Sequence, residues 1–269
     1  MSTAIHRGLP WAAVVAGLVV LAVGVGLGPR HYAEDGLTGT ALLGLALVVV
    51  GLVVAGWAGL RVLRGTRARW WLLTVPALLL ATYVSLWTVG QGVAATYPPH
   101  PGLGDRTPAD VGLDFREVTF RSGDGVELAG WYVPSRNGAA VALLHGAGST
   151  RTAVLDHAAA LAGHGYGVLL YDARGHGESA GDGMDFGWYG EADAAGAVDF
   201  LGDLPDVSPR RIGLVGLSMG GEQAIGAAGS DPRVAAVVAE GATNRVAADK
   251  GFLAAYGVRG EVQQQVDRV

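Results

Sequence analysis

The 269-residue sequence predicts an α/β protein in which a mostly parallel, doubly wound sheet is preceded by three transmembrane α-helices. Half of the residues are hydrophobic and only 16% are charged, which is too apolar for an ordinary soluble protein of this length. Apolar residues form three long runs in the first hundred positions, whereas after residue 113 they form short runs that alternate with helical patterns. The two patterns divide the chain into a membrane part and a globular part.

Three apolar stretches predict a membrane anchor over residues 1–95. They cover about residues 9–28, 37–60 and 70–90, and none contains a charged residue. A charge at mid-span would cost about 2.5–3.5 kcal/mol, so its absence supports the interpretation. A cleaved signal peptide is the alternative for the first stretch, but its apolar core is long and two spans follow it. Without ionisable groups in the spans, an anchor is favoured over a transporter.

The loops between the stretches predict an orientation. Residues 61–69 contain four arginines and no acid, whereas residues 29–36 contain Arg30 together with Glu34 and Asp35. The positive-inside rule therefore predicts a cytoplasmic N-terminus in the cell membrane and an extracytoplasmic domain after Gln91. The lipid bilayer is thus an expected partner. Nucleic acid is not, because the net charge is −5 and no other basic block is present.

A proline-rich linker is predicted over residues 96–112, and a partial globular domain over residues 113–269. Alternating residues on both sides of a Ser122–Gly125 turn predict an antiparallel hairpin. Continuous apolar runs predict buried strands, with helices between them. The runs lie at residues 139–144, 167–171, 212–215 and 234–238. Ser149 or Thr150 is expected to cap the first of these helices, which ends at Gly163, and a second helix is expected from Trp188 to Leu201.

The third buried strand leads into Gly216-Leu217-Ser218-Met219-Gly220, and a helix rich in small residues follows it. This strand–turn–helix context predicts that Ser218 is a nucleophile on a strained turn at a helix N-terminus. The flanking positions are expected to be glycine because the turn leaves no room for a Cβ. A second G-x-S-x-G match, at residues 177–181, follows a polar run, so we interpret Ser179 as a loop serine. The alternative for Ser218 is a turn serine without chemistry.

Three motifs together resemble the α/β-hydrolase superfamily, in particular its serine aminopeptidase and dienelactone-hydrolase-like branches. They are His145-Gly146-Ala147-Gly148, the segment from Asp172 to Ser179, and the Ser218 motif. The resemblance covers residue 113 onward and implies a sheet of α/β-hydrolase type. It also implies hydrolysis of a small-molecule ester or amide, or of a peptide, through an acyl-Ser218 intermediate. In the family the loop after Asp172 is usually structural, and Asp172 and Arg174 tie down neighbouring turns.

Acyl transfer needs two preorganised N–H donors for the negative oxygen that develops in the transition state. One would be the backbone N–H of Met219. The resemblance implies that the other comes from Ala147, with Gly148 next in the loop, and that His145 fixes this loop and is not a base. The alternative is a glycine-rich strand-to-helix turn. No metal-ligand cluster or phosphate loop is present, so no cofactor is expected.

The acid and the histidine of a catalytic triad have no clear candidates. All seven histidines precede Ser218, whereas this fold orders its triad as serine, acid, histidine. Glu240 is a weak candidate acid and otherwise a turn carboxylate, and Asp249 is weaker still. We therefore expect little hydrolysis by the 269-residue chain.

Two accounts fit this gap: a piece of a longer protein that lacks the last strands, or a degenerate hydrolase-like domain. A helix that breaks off at residues 258–269 favours the first account. Two functional alternatives remain open: an inactive binding or scaffold module, and a regulatory domain of a membrane protein.

Overall fold

The computed structural model describes residues 2–183, 190–242 and 257–258. The chain forms two compact units. Of the described residues, one unit comprises 2–101 with 182–183, and the other comprises 102–181, 190–242 and 257–258. Three predicted features lie outside the described residues: the helix start at Trp188, Asp249, and nearly all of the terminal helix.

The first unit contains three helical segments that are long and apolar enough to cross a membrane. Helix α1 spans Ser2–Asp35 and α2 spans Gly39–Gly65. The third segment begins with a 3₁₀ turn at Ala68–Trp70 and continues as α3, a π-helical turn and α4. The last three elements span Trp71–Ser85, Leu86–Gly90 and Gln91–Thr96.

The loop predicted at residues 29–36 is wrong, because α1 continues to Asp35. Side-chain pairs one helical turn apart support these last turns. Arg30 pairs with Glu34 at 3.3 Å, and His31 bonds Asp35 at 3.0 Å. Gly36, whose φ is 74°, follows the helix.

Helices α1 and α2 pack closely through glycine. A Cβ added to Gly44 would overlap the backbone of Gly28. A Cβ on Gly17 would lie 2.9 Å from the Cα of Ala55. Small residues allow the two backbones to approach, as in membrane helix pairs in general. Since residue 17 meets residue 55 and residue 28 meets residue 44, the two helices are antiparallel.

The second unit contains a six-stranded sheet with the order β1-β2-β4-β3-β5-β6. Strands β1 and β2 form the predicted antiparallel hairpin, and β2 also pairs antiparallel with β4. Strands β4, β3, β5 and β6 are parallel. The six strands are Arg116–Arg121, Glu127–Val133, Ala140–Leu144, Gly167–Tyr171, Ile212–Leu217 and Val234–Glu240. The mostly parallel α/β prediction is confirmed.

Both faces of the central strands are buried, as expected for a doubly wound sheet. In β4, Leu169 belongs to one hydrophobic cluster and the next residue, Leu170, belongs to the other. Between residues 102 and 242, the described α-helices are α5 (Leu155–Gly163), α6 (Gly190–Gly202) and α7 (Met219–Ser230).

The predicted cap of the first of these helices is wrong in detail. A 3₁₀ turn, Arg151–Val154, precedes α5, and the hydroxyl of Thr150 contacts that of Thr152 at 2.9 Å instead of capping the turn.

Candidate active site

Ser218 lies at the junction between β5 and α7 in a strained backbone conformation. Its φ is 50° and its ψ is −114°, and no other described non-glycine residue has a positive φ. Such strain costs about 1–3 kcal/mol and persists only where the surroundings hold it. The N–H of Ser218 donates to the carbonyl of Glu240 at 2.7 Å, and its carbonyl accepts from the N–H of Gly221 at 2.9 Å. The side chain is exposed and makes no capping bond to α7.

The glycines on both sides of Ser218 are required by close backbone contacts. A Cβ on Gly216 would overlap the backbone of Gly220. A Cβ on Gly220 would overlap the carbonyl of Leu144 and lie 2.7 Å from the carbonyl oxygen of His145. The expectation that the turn leaves no room for a Cβ is therefore confirmed at both positions.

The loop after β3 lies directly against this turn. A Cβ on Gly146 would lie 3.5 Å from the carbonyl oxygen of Leu217 and 3.6 Å from the Cβ of Ser218. Gly148 has a φ of 67°, and the Ser149 hydroxyl donates to the carbonyl of Gly146 at 2.9 Å. The fold thus places Gly146, the residue before Ala147, against Ser218, the residue before Met219. That both N–H groups bind one substrate oxygen stays a prediction.

His145 fixes the loop through both of its ring nitrogens. Nε2 accepts from the backbone N–H of Ala173 at 3.0 Å, so Nδ1 carries the proton and donates to the carbonyl of Gly146 at 2.8 Å. Burial lowers the pKa of His145 to about 4, which keeps the ring neutral near pH 7. With both nitrogens engaged, His145 is not available as a general base in this arrangement.

A buried ionic network ties the same loop to the segment after β4. Asp172 accepts from the backbone N–H of Arg151 at 2.8 Å, from its guanidinium at 2.9 Å and from the N–H of Glu178 at 3.0 Å. Arg151 also pairs with the carboxylate of Glu178 and lies 4.2 Å from the ring centroid of Trp131. Burial raises the pKa of Asp172, although Arg151 opposes this effect. The roles of Arg151 and Trp131 are not apparent from the sequence, because their partners are distant in the chain.

Arg174 and Ser179 also have structural contacts, as the sequence predicted. Arg174 bonds Asp193 at 2.7 Å and Asp124 at 2.7 Å. It holds the pKa of Asp124 well below its usual range, whereas burial raises the pKa of Asp193. The hydroxyl of Ser179 donates to the carbonyl of Asp172 at 2.6 Å and accepts from the N–H of Ala129 at 2.9 Å. The second G-x-S-x-G match is therefore a buried loop serine.

Glu240 is the last residue of β6 and touches the site through its backbone. Its carbonyl accepts from Ser218, whereas the residue itself is exposed. Its assignment as the triad acid stays a prediction. Within the described ranges, no group of three or more His, Asp or Glu side chains could hold a metal ion.

Comparisons with known proteins agree with the fold of the globular unit. Residues 135–264 match the family described as serine aminopeptidase, S33. Thiohydrolase aneE of Aspergillus aculeatus is 38% identical over 129 residues, which are 46% of this chain and 40% of that protein. An uncharacterized protein of Mycobacterium tuberculosis is 37% identical over 126 residues, which are 46% of this chain and 44% of that protein.

Among solved structures, the Pyrococcus furiosus esterase Pf2001 superimposes with a TM-score of 0.53 and 28% identity. The match covers 60% of this chain and 63% of that chain. The chain spans less than half the length of the two curated relatives.

Proposed function

The globular part of this chain is a member of the α/β-hydrolase superfamily, and from that premise we propose that the protein is a membrane-anchored serine hydrolase with Ser218 as its nucleophile. Its substrate would be a small-molecule ester or amide, or a peptide. The observation that carries the proposal is the strained Ser218 backbone, held between two glycines that tolerate no Cβ. If Ser218 served only to form the turn, its role would not explain why the strained backbone conformation is maintained.

In the proposed reaction the Ser218 hydroxyl oxygen attacks the substrate carbonyl carbon and gives up its proton to a base. The N–H groups of Met219 and Ala147 stabilise the tetrahedral oxyanion, which is typically worth about 3–4 kcal/mol per donor. The base then gives this proton to the leaving oxygen or nitrogen, so that the bond to the carbonyl carbon breaks and a neutral alcohol or amine departs from acyl-Ser218. Water attacks the acyl group, gives its proton to the same base, and releases the acid as Ser218 regains the proton. His145 is already engaged, so the described residues leave the base unassigned.

A second candidate is a binding module that holds a carbonyl compound without turnover. The observation that favours it is that His145, the histidine of the loop against this turn, has both ring nitrogens hydrogen-bonded already. A serine without a paired base loses most of its reactivity while the oxyanion donors remain. The two candidates therefore differ in covalent reactivity rather than in the shape of the site.

A fluorophosphonate probe applied to the detergent-solubilised chain distinguishes these candidates. Because the base is unassigned, we expect slow, time-dependent labelling of the wild type and none of Ser218→Ala. Ser230→Ala is the matched control, because Ser230 is an exposed serine at the other end of α7 and should leave labelling unchanged. An unlabelled wild type would favour the binding module. Equal labelling of the wild type and Ser218→Ala would exclude Ser218 as the nucleophile.

A further inference from the structure

A basic and aromatic cluster lies where the second candidate membrane span ends and the third begins. We call it the arginine–tryptophan loop, and its members are Trp57, Arg61, Arg64, Arg67, Arg69 and Trp70. All six side chains are exposed. Arg61 and Arg64 lie in the last turns of α2, and Arg69 and Trp70 belong to the 3₁₀ turn that precedes α3.

The turn is ordered by contacts that leave the guanidinium groups available. The indole N–H of Trp71 bonds the carbonyls of Leu63 at 3.2 Å and Thr66 at 3.3 Å, and so satisfies acceptors at the end of α2. The guanidinium carbon of Arg61 lies 4.5 Å from the Trp57 ring centroid, and that of Arg69 lies 5.7 Å from the Trp70 ring centroid. Within the described ranges, none of the four arginines forms an ion pair.

The surrounding sequence supplies no compensating negative charge. Residues 1–33 and 36–104 contain no aspartate or glutamate. Glu34 and Asp35 lie at the end of α1, which in the antiparallel pair meets the start of α2. Since α2 has 27 residues, its two ends are about 40 Å apart. Four positive charges therefore stand together without a carboxylate partner from these two helices.

We propose that the arginine–tryptophan loop binds the phosphate headgroups of anionic phospholipids at one face of the membrane. Guanidinium groups bind phosphate oxygens in a bidentate manner, and exposed tryptophan rings settle at the headgroup level of a bilayer. A basic residue next to an anionic membrane surface contributes roughly fivefold to binding. The proposal rests on the proposed insertion of the three helices and is independent of the chemistry at Ser218.

Lipid retention by the full chain tests the proposal. The chain is reconstituted in vesicles of phosphatidylglycerol and phosphatidylcholine, washed with carbonate and extracted with a mild detergent. Mass spectrometry then compares the ratio of the two retained lipids with that of the vesicle. We expect at least about tenfold enrichment of phosphatidylglycerol for the wild type, from the summed effect of four arginines. Changing all four to glutamine should abolish the enrichment.

A matched control changes four exposed arginines of the globular unit, Arg106, Arg116, Arg121 and Arg210, to glutamine. It has the same change in net charge and should keep the enrichment. Changing the loop arginines to lysine should keep part of it and tests the cluster if the glutamine variant misfolds. Unchanged enrichment in the glutamine variant would overturn the proposal, and so would an equal loss of enrichment in the control. The proposal would also be overturned if the lysine variant showed no enrichment, or if millimolar inorganic phosphate displaced the retained phosphatidylglycerol. Loss of the chain in the carbonate wash would overturn it together with the proposed insertion.

Discussion

At the scale of single residues, the strain at Ser218 depends on neighbours that have no side chain. Gly220 lies against the backbone of β3, and a Cβ at this position would meet two carbonyl groups that cannot move independently of the sheet. Overpacking of this kind costs about 1–3 kcal/mol. We therefore expect Gly220→Ala to lower the free energy of unfolding of the globular unit by that amount and to slow labelling of Ser218.

Gly229 provides the matched control, because it lies in the same helix with nothing within 4 Å of its Cβ position. Gly229→Ala should raise stability by up to about 1 kcal/mol, since alanine favours helix. Thermal unfolding followed by tryptophan fluorescence measures both variants, with about 2–4 °C expected per kcal/mol. If the two substitutions changed the thermal stability equally, the close contact at Gly220 would not contribute to the cost of Gly220→Ala.

At the scale of elements, two loops that come from neighbouring strands hold each other in place. The segment after β3 carries His145 and Arg151, and the segment after β4 supplies Ala173 and Asp172 as their partners. The N–H group of Ala147 can be preorganised only if this pair of loops is rigid. The contact between Arg151 and Asp172 therefore acts on the candidate site indirectly, by positioning its backbone.

Arg151→Met tests this contact. The substitution leaves Asp172 buried without its cation, which typically costs about 3–5 kcal/mol. The additional change Asp172→Asn should recover part of that loss, because it removes the uncompensated charge. Arg106→Met, which breaks an exposed pair with Asp156, should cost less than about 1 kcal/mol. Urea unfolding of these variants measures the difference, and equal costs for the two arginines would contradict the argument.

Local patterns account for what could be predicted from the sequence. The strands of the globular unit and the turn at Ser218 follow from apolar runs and glycine positions within a few residues of one another. The pairing of Arg151 with Asp172 joins residues 21 positions apart, and no short pattern indicates it.

The helix α1 is longer than the sequence predicts. Pro29 and the charged residues after it suggest a loop, whereas side-chain pairs one turn apart continue the helix. The triad acid stays unassigned because Glu240 touches the site only through its backbone carbonyl. The triad histidine stays unassigned because both ring nitrogens of His145 are already engaged.

At the scale of the whole molecule, charge placement decides the orientation that we propose. Four arginines lie in the last turns of α2 and in the segment that joins it to α3, whereas Glu34 and Asp35 end α1. Positive loops remain in the cytoplasm, so three crossings would place the globular unit on the outer side. The orientation decides which substrates the proposed hydrolase meets, since an outer domain would act on extracytoplasmic compounds.

The absence of cysteine from the sequence allows a direct test of this orientation. Two single-cysteine variants form a matched pair: Ala68→Cys in the exposed turn after α2, and Ser230→Cys in the exposed end of α7. In intact spheroplasts, a membrane-impermeant maleimide should label Ser230→Cys and should leave Ala68→Cys unlabelled until the membrane is permeabilised. The opposite pattern would invert the proposed topology. The third helical segment is the one proposed crossing between the two positions. Labelling of both positions before permeabilisation would show that they lie on the same side of the membrane, and would therefore contradict the assignment of this segment as a span.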